Sequence, residues 1–340
     1  MVQIFKQEVI KKSGIKKVFV TGGAGYVGAR LIPSLLKEGY KVTVLDLMLY
    51  GRKVLKKHPR LQIIKGDIRD KNLLKKTIKG NDALIHLACI SNDPSFELNP
   101  QLGKSINLKA FEPLVQISKN CNIKRFIFAS SSSVYGIKKN KNVHEKMSLK
   151  PLTDYSKFKA DCEKILLKHQ SQNFTVVILR PATVCGYSRR QRLDVVVNLL
   201  TNLAYHKREI SIFGGKQLRP NIHIKDMVKS YLLLLKAPKK LIAGETFNVG
   251  FKNNTVLSLA KKVKRIIGKD VRLVKVPSND NRSYHISSNK ILRKLGFVPS
   301  NSIDAAIKEL KLALIKGKLK NSLSNEYYFN IKRMQSIHLK

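Results

Sequence analysis

The sequence predicts an α/β protein built on a doubly wound parallel sheet, with a smaller α/β domain interleaved behind it. Three observations lead to this prediction. Short apolar runs rich in β-branched residues recur between residues 17 and 181, helical stretches separate them, and the first run ends in a glycine-rich turn. Strands that are apolar throughout and alternate with helices are typical of a parallel sheet covered on both faces. Ligands of such a sheet lie beyond the carboxyl ends of its strands.

Six strands and four helices are predicted for the first part of the chain. The strands are 17–21, 41–46, 61–67, 82–88, 125–131 and 174–181, and the helices are 26–38, 70–79, 101–121 and 155–171. After Pro181 the pattern loosens, with helices expected near 193–208, 226–236, 256–267 and 302–316, and with strands in EISIFGG and ETFNVG. We therefore expect an N-terminal extension (1–15), a first domain (16–181) and a second domain (182–340), some segments of which pack back on the first.

The composition is that of a folded protein without membrane or secretion signals. Of the 340 residues, 43% are hydrophobic, which is enough for a large core. No run approaches the roughly 18 apolar residues of a membrane-spanning helix, and the N-terminus lacks the apolar segment of a secretory signal. The four cysteines are scattered, with no CxxC pair and no metal-ligand spacing. We expect reduced thiols, no bound metal and a cytoplasmic location.

The net charge of +44 is the unusual number in the composition, with 66 basic against 22 acidic residues. One interpretation is a protein that binds nucleic acid or an anionic surface, because Lys and Arg neutralise phosphates and release counterions. The other is a solvated surface that is rich in lysine. The basic residues are spread along the whole chain, most are lysines, and no nucleic-acid motif accompanies them. We therefore favour the second interpretation.

A glycine-rich turn between the first strand and the first helix predicts a dinucleotide site. Gly22, Gly25 and Gly28 are spaced GxxGxxG. Glycines at this spacing permit a tight turn, close backbone approach to a pyrophosphate and close packing of the helix. The helix N-terminus adds free N–H groups and a positive partial charge.

Two aspartates at strand ends refine this prediction. Asp46 closes the second strand, eighteen residues after Gly28. A carboxylate there accepts hydrogen bonds from the adenosine ribose and repels a 2′-phosphate, so NAD is favoured over NADP. Asp67 closes the third strand, where it either meets the adenine ring or is simply a residue of the turn.

Tyr155 and Lys159 are predicted to act together as an acid/base group. They are four positions apart on a helix and share a face, whereas Lys157 points to the other side and is expected to be a surface charge. A tyrosine, with a pKa of about 10, acts as a base near neutral pH only if its phenolate is stabilised. The Lys159 ammonium and the positive end of the helix both do that. Ser131, which ends the preceding strand, is placed to share a substrate hydroxyl's proton with the tyrosine.

Two acidic residues of the same helix are assigned from their spacing. Asp154 directly precedes Tyr155 and is a candidate N-cap. Glu163 follows Lys159 by four residues, so it either continues the inward-facing row or braces the lysine.

These residues and further motifs give the chain a resemblance to a known family. Ser131, Tyr155 and Lys159, with GGAGYVG at 22–28, resemble the extended short-chain dehydrogenase/reductases, in particular their NAD-dependent sugar-nucleotide epimerase/dehydratase group, which includes UDP-glucose 4-epimerase-like proteins. The resemblance covers roughly residues 16–315. Further motifs in the family's order are HLA (86–88), Asn107, SVYG (133–136), LRPATVCG (179–186), FGGKQLRPNIHIKDM (213–227), ETFNVG (245–250) and LGFVPS (295–300).

The resemblance implies a Rossmann domain that holds NAD tightly and an active site around Ser131, Tyr155 and Lys159. Tyr155 is then the general acid/base, Lys159 lowers its pKa and holds the nicotinamide ribose, and Ser131 orients the reacting hydroxyl of the sugar. A homodimer formed through helices 101–121 and 155–171 is also implied. The implied cofactor residues are Gly22, Gly25, Tyr26, Val27, Gly28, Asp46, Asp67, Ile68, Leu87, Ala88, Asn107, Tyr155 and Lys159.

The implied substrate is a nucleotide-diphosphate sugar. The family's diphosphate-binding arginines fall on Arg219 and Arg282, and Arg192 in SRRQRLD is a further candidate of the same kind. Ser131 and Thr183 complete the implied substrate contacts.

Two departures from the family pattern bear on the reaction. Dehydratases of the family carry acidic residues directly after the active-site hydroxyl, whereas this chain has Ser132 and Ser133 there. The position three after Arg180, often an asparagine that contacts substrate in relatives, is Thr183. The first departure favours epimerisation, in which oxidation is followed by reduction from the other face, or simple oxidation or reduction, over 4,6-dehydration.

The predicted function is NAD-dependent 4-epimerisation of a nucleotide-diphosphate hexose, or of a uronic-acid or modified relative, through a transient 4-keto intermediate. An NAD(P)-dependent nucleotide-sugar reductase or dehydrogenase, or a dehydratase, is the alternative within the class. A non-catalytic RNA-binding or redox-sensing protein is the alternative from another class, because of the charge of +44. The retained Ser131, Tyr155 and Lys159 favour the enzyme.

Overall fold

The computed structural model describes residues 13–91, 93–140, 142–278, 283 and 285–337, and seven parallel strands form its central sheet. The strands are β1 (Lys17–Thr21), β2 (Lys41–Asp46), β3 (Leu61–Lys65), β4 (Ala83–His86), β5 (Arg125–Ala129), β6 (Thr175–Pro181) and β10 (Glu245–Val249). Their order is β3-β2-β1-β4-β5-β6-β10, and every neighbouring pair is parallel. The predicted doubly wound sheet is confirmed, and its order reverses between β1 and β4.

The sheet is covered on both faces, and most of its inner strands are almost completely buried. All four residues of β4 are buried, as are the first six of β6. The helices on one face are α1 (Gly28–Lys37) and α8 (Ile224–Lys236), and those on the other are α2 (Lys71–Ile78), α5 (Phe111–Asn120) and α6 (Asp154–Lys168). Each face has its own apolar cluster, so the sheet separates two halves of the core.

The single helix predicted over 101–121 is wrong. The structure has α4 (Pro100–Lys104), a π-helical turn (Ser105–Lys109) and then α5, which begins at Phe111. Pro113 has no N–H to donate to the preceding turn of a continuous helix. The break places this proline in the first turn of α5, where that N–H has no helical partner to lose.

The remaining chain forms two small sheets and a layer of helices. β7 (Thr183–Cys185) pairs with β9 (Leu218–His223), and β9 also pairs with β11 (Lys252–Thr255). β8 (Glu209–Phe213) pairs with β12 (Arg272–Val276). The helices of this part pack around a separate apolar cluster and are α7 (Val196–Lys207), α10 (Val256–Ile267) and α12 (Ile303–Ile315).

The helix predicted near 193–208 begins only at Val196, and residues 186–195 form a loop that returns to the first domain. We call it loop 186–195. The Ser188 hydroxyl donates to the carbonyl of Tyr26 at 2.9 Å, which joins the loop to the glycine-rich turn. This contact between segments far apart in the chain leaves no periodic pattern in the sequence.

Several short elements were not predicted. They are β7, β9, β11, β12, α3 (Asp93–Glu97), α9 (Lys239–Ile242), α11 (Asn289–Leu295) and α13 (Asn330–Ile337). One or two turns of helix, or a few residues of strand, carry too few periods for the pattern to be recognised. In β9, Pro220 also disfavours a strand prediction. The predicted N-terminal extension lies outside the described residues up to position 12. Every helix in the described part of the chain is too short or too polar to cross a bilayer.

Candidate active site

A cavity of about 530 Å³ lies at the carboxyl ends of the strands, where the strand order reverses. Its volume is within the range of small-molecule sites. The walls come from the turns after β1, β2, β4 and β5, from α6 and from loop 186–195. The predicted site residues that line it are Gly22, Gly25, Tyr26, Val27, Gly28, Asp46, Asp67, Ile68, Leu87, Ala88, Ser131, Tyr155, Lys159, Thr183, Arg192 and Arg219.

The glycine-rich turn lies against backbone that a side chain would meet. A Cβ on Gly22 would lie 2.5 Å from the backbone nitrogen of Ala88, and one on Gly28 would lie 2.4 Å from the carbonyl oxygen of Gly23. Gly22 also has a φ of +72°, which side-chain-bearing residues rarely adopt. Among the described residues, no side chain caps the N-terminus of α1. The turn and the helix therefore offer backbone N–H groups to an anion.

Two carboxylates mark the ends of β2 and β3. Asp46 accepts from the N–H groups of Ala24 at 2.9 Å and Met48 at 2.7 Å. Burial raises the pKa of Asp46, and these two donors oppose the rise. Asp67 pairs with Arg69 at 2.6 Å; burial raises its pKa, but the bonds from Arg69 outweigh this and lower it below the usual value.

Buried polar residues hold the turn after β4, which forms the floor of the cavity. His86 Nδ1 lies 2.7 Å from Thr21 Oγ1, and burial lowers the pKa of the imidazole to about 3, so the ring is neutral. Asn107 accepts from the N–H of Ile90 and donates to its carbonyl, both at 2.9 Å. The predicted cofactor residue Asn107 thus lies behind the wall of the cavity, where it fixes the backbone of Ile90.

Ser131, Tyr155 and Lys159 line the cavity close to one another. The Ser131 hydroxyl lies 2.8 Å from that of Ser133 and accepts from the N–H of Ser133 at 3.1 Å. The Lys159 Nζ donates to the carbonyl of Ala129 at 2.7 Å and lies 5.9 Å from the centre of the Tyr155 ring. The side chains of Tyr155 and Lys159, both on α6, line the cavity, whereas that of Lys157 is exposed.

Burial and four neighbouring side chains have the largest effects on the pKa of Tyr155. Burial raises the pKa of the phenol far above its ordinary value, and nearby ionisable side chains raise it further. The charge of Arg192 and the hydroxyl of Ser131 lower it. That Lys159 lowers the pKa of Tyr155 stays a prediction, since the ammonium is held by a backbone carbonyl here.

The N-cap of α6 is Thr153, so the prediction of Asp154 is wrong. The Thr153 hydroxyl accepts from the N–H of Ser156, and the Ser156 hydroxyl accepts from the N–H of Thr153 at 3.1 Å. Thr153 has an extended backbone, and this reciprocal pair fixes the start of the helix one residue before Asp154. Asp154 is instead the first helical residue and pairs with Lys157 at 3.1 Å.

Two roles were predicted for Glu163. It does continue the inward-facing row, where it is buried, but it pairs with Arg180 and not with Lys159. Its carboxylate accepts from Arg180 Nη2 at 2.6 Å and from Nε at 3.0 Å, and it also accepts from the Ser130 hydroxyl. Arg180 donates in turn to the hydroxyl of Tyr135 at 2.7 Å. This buried network joins α6 to β6 and to Ser130, the neighbour of Ser131 in the chain.

Three predicted substrate residues also line the cavity, namely Thr183, Arg192 and Arg219. Arg192 Nε lies 2.6 Å from Asp194 Oδ1, and its Nη1 donates to the Ser91 hydroxyl at 3.1 Å. Its Nη2 is buried and has no hydrogen-bond partner in the described chain. The predicted substrate residue Arg282 lies outside the described residues.

Arg190 and Asn330 are two of the cavity residues that the sequence did not predict as part of the site. Both line the cavity, and the Arg190 guanidinium stacks on the ring of Tyr50 at 3.5 Å. The arginines of SRRQRLD were a signal for Arg190, but the sequence did not tell which one is buried. Asn330 had no signal, because its partners Arg190 and Tyr50 are 140 and 280 positions away.

The residues of the first domain fit a dinucleotide such as NAD. The glycine-rich turn leaves no room for side chains where a pyrophosphate would approach, and the N-terminus of α1 supplies N–H donors. Asp46 ends β2 beside this turn, as a partner for ribose hydroxyls requires.

Comparison with known proteins agrees with this geometry. A family model described as the NAD dependent epimerase/dehydratase family matches residues 18–250. An uncharacterised UDP-glucose epimerase, YtcB, of Bacillus subtilis (strain 168) is 33% identical over 273 residues, or 76% of this chain and 84% of that protein. A UDP-glucose 4-epimerase of Lactobacillus helveticus is 29% identical over 310 residues, or 84% and 92%. The structure of a UDP-glucuronic acid 4-epimerase from Bacillus cereus, in complex with UDP-glucuronic acid and NAD, has a TM-score of 0.80 at 27% identity and covers 88% of this chain and 99% of that one.

Proposed function

The chain belongs to the NAD-dependent epimerase/dehydratase family, whose cofactor is NAD, and we propose that it is a 4-epimerase of a nucleotide-diphosphate hexose or uronic acid. One observation carries the proposal. Ser131, Tyr155 and Lys159 share the cavity, and the two positions after Ser131 carry no carboxylate. The relatives described above, which are named as epimerases, support the same reaction.

Each residue of this group has a role in moving the proton of the sugar's C4 hydroxyl. NAD, when bound, supplies the hydride acceptor and donor. Tyr155 takes the hydroxyl proton as general base and returns it as general acid. Ser131, which lines the same cavity, orients the hydroxyl through its Oγ. Lys159, which here donates to the carbonyl of Ala129, would hold the nicotinamide ribose of bound NAD.

The nucleotide sugar is proposed to lie between the first domain and residues 182–340. Thr183 begins β7 and Arg219 lies on β9, and both line the cavity. A guanidinium such as that of Arg219 offers several donors to the oxygens of a diphosphate. The second domain then mainly binds the substrate.

A second candidate function, 4,6-dehydration, is favoured by a single observation. Loss of water requires an acid that protonates the departing oxygen. Asp93 lines the cavity and accepts from the Thr153 hydroxyl at 2.5 Å, so one carboxylate is present beside Tyr155. If the protein is a dehydratase, Asp93→Asn abolishes the loss of water from the sugar. If it is an epimerase, Asp93→Asn still inverts the configuration at C4.

A panel of UDP-, GDP-, CDP- and dTDP-sugars tests the proposal, with products identified by NMR and mass spectrometry. We expect a product of unchanged mass with inverted configuration at C4. The absorbance of reduced nicotinamide should not accumulate, because the hydride returns to the sugar. A product lighter by one water would show that the reaction is dehydration. Stoichiometric formation of NADH would show that it is dehydrogenation.

The rival from another class is a non-catalytic RNA-binding or redox-sensing protein, for which the charge of +44 is the only support. Its signature would be a salt-dependent gel shift with RNA that Tyr155→Phe leaves unchanged, together with no turnover of any sugar in the panel. The presence of Ser131, Tyr155 and Lys159 in one cavity supports the enzyme instead.

A further inference from the structure

Arg190 is buried in the wall of the cleft without a full set of partners. It is 3% exposed, and its Nη2 donates to Asn330 Oδ1. Its Nε and Nη1 are buried and have no hydrogen-bond partner among the residues that the structure describes. A buried guanidinium costs stability unless its donors are satisfied. The two donors are therefore a reason to expect a ligand that accepts from them.

Hydrogen bonds join loop 186–195, which carries Arg190, to the glycine-rich turn. Ser188 donates to the carbonyl of Tyr26 at 2.9 Å, and the Tyr26 hydroxyl donates to the carbonyl of Gly186 at 2.6 Å. Arg190 also acts on Asp46, since its charge opposes the rise in the pKa of that carboxyl that burial causes. The uncapped N-terminus of α1 and the guanidinium thus line one region of the same cavity.

We propose that Arg190 binds the diphosphate of the dinucleotide from the side opposite the glycine-rich turn. Diphosphate oxygens are strong acceptors for arginine N–H groups, and two phosphates offer enough of them for both free donors. A nucleotide sugar also carries a diphosphate. We assign Arg190 to the cofactor because its charge acts on Asp46 and its loop is bonded to Tyr26. The inference therefore does not depend on which sugar is turned over.

Asn330 is the residue that positions this guanidinium. Its Oδ1 accepts from Arg190 Nη2 and from the Tyr50 hydroxyl, the latter at 2.9 Å. Its Nδ2 donates to the Ser91 hydroxyl, and its backbone N–H donates to Asp194 Oδ2, both at 2.9 Å. The start of α13 therefore joins the turns after β2 and β4 to loop 186–195 and closes the cleft on the cofactor side.

The test compares Arg190→Met with Arg189→Met, which removes the exposed arginine next to it. Calorimetry on nucleotide-free protein measures the Kd of ADP-ribose, which carries the diphosphate of the cofactor, and the Kd of UDP. We expect Arg190→Met to weaken ADP-ribose about 10- to 100-fold, the range of lost charge-assisted hydrogen bonds, and to leave UDP unchanged. Arg189→Met should leave both constants unchanged.

Two further measurements guard against a folding defect. The Tm of Arg190→Met without ligand should stay near that of the parent, because removal of a buried charge with two unsatisfied donors offsets the lost bond to Asn330. Arg190→Lys keeps the charge and loses the planar group, so its ADP-ribose affinity should fall between those of the other two. An unchanged ADP-ribose Kd in Arg190→Met, with or without a lower Tm, would overturn the proposal. A loss confined to UDP would overturn it too, because the diphosphate would then belong to the substrate.

The positioning role of Asn330 has its own test. Asn330→Ala should raise the Kd of ADP-ribose about 3- to 10-fold in the parent and very little in Arg190→Met, because it acts through that guanidinium. Gln335→Ala, an exposed change on the same helix, is the control and should have no effect. Equal losses in both backgrounds would contradict a role through Arg190.

Discussion

The phenol of Tyr155 has neighbours with opposite effects on its ionisation. Burial raises its pKa, whereas the charge of Arg192 and the hydroxyl of Ser131 lower it. The phenolate is the form that removes a proton from the sugar. These neighbours therefore decide the pH range in which the proposed epimerase works.

Removal of the phenol tests the role of Tyr155. Tyr155→Phe should lower kcat by about 10²- to 10⁴-fold, the usual contribution of a general base, while NAD remains bound. Lys159→Met should weaken both turnover and NAD binding. The readouts are kcat and the NAD content per chain. Lys157→Ala is the matched control on the exposed face of α6 and should change neither; damage equal to that of Lys159→Met would show that the face assignment is wrong.

The effect of Arg192 can be read from the pH dependence of kcat. A nearby cation stabilises the phenolate, so its removal in Arg192→Met raises the pKa of Tyr155 further. The base form then appears only at higher pH, and the acidic limb of the profile should move to higher pH. Arg189→Met, which changes an exposed arginine of the same loop, should leave the limb in place. A limb that stays or moves to lower pH in Arg192→Met contradicts this role.

Helix α6 shows what spacing along the chain can and cannot predict. The interval of four residues placed Tyr155 and Lys159 on one face because helical periodicity is a local property. The partners of Lys159 and Glu163 were not predictable in this way. They are Ala129 on β5 and Arg180 on β6, which only the packing of α6 against the sheet brings near.

The strands of the first domain were predicted closely, and the errors fall where long-range contacts or a proline decide. Apolar runs alternating with helices give the βαβ order directly. Pro113 breaks the helix predicted over 101–121, and tertiary contacts of loop 186–195 delay the start of α7. α13 is a short helix that begins at Asn330. This residue contacts Tyr50 and Ser91, which lie in distant turns of the chain.

The buried pair between α6 and β6 predicts a large effect on stability. Glu163→Gln leaves Arg180 buried without its counter-charge, which should lower the free energy of unfolding by about 3–5 kcal/mol. Asp161→Asn breaks the exposed pair with Lys164 on the same helix and should cost less than about 1 kcal/mol. Urea unfolding monitored by circular dichroism measures both. Similar losses of unfolding free energy in the two variants would show that the buried pair of Glu163 and Arg180 does not stabilise the packing of α6 more than an exposed pair does.

For the protein as a whole, the charge of +44 favours encounters with anionic ligands. If nucleotide sugars are the substrates, kcat/KM should fall several-fold between about 0.05 and 0.5 M NaCl, because salt screens the long-range field. kcat should change less, since the proton transfer occurs inside the cavity. A series in sucrose controls for viscosity. A kcat/KM that does not respond to salt would mean that the surface charge plays no part in substrate capture.

The fold class was predictable because a doubly wound sheet is specified by the order of apolar runs and helices, which is written along the chain. The cavity was predictable in part, because the carboxyl ends of β1, β2, β4 and β5 converge in any such sheet. What closes the cavity was not predictable. Loop 186–195 and α13 reach it through side-chain contacts whose partners are separated by more than a hundred positions.

The return of hydride to the same carbon is tested most directly by a substrate that carries deuterium at C4. The substrate is the nucleotide sugar that the panel shows to be turned over, incubated with the purified protein in ordinary water. We expect the C4 epimer with its deuterium still at C4 and with unchanged mass. Deuterium in water, on released nicotinamide, or in a product lighter by one water would contradict 4-epimerisation by Tyr155 and a retained NAD.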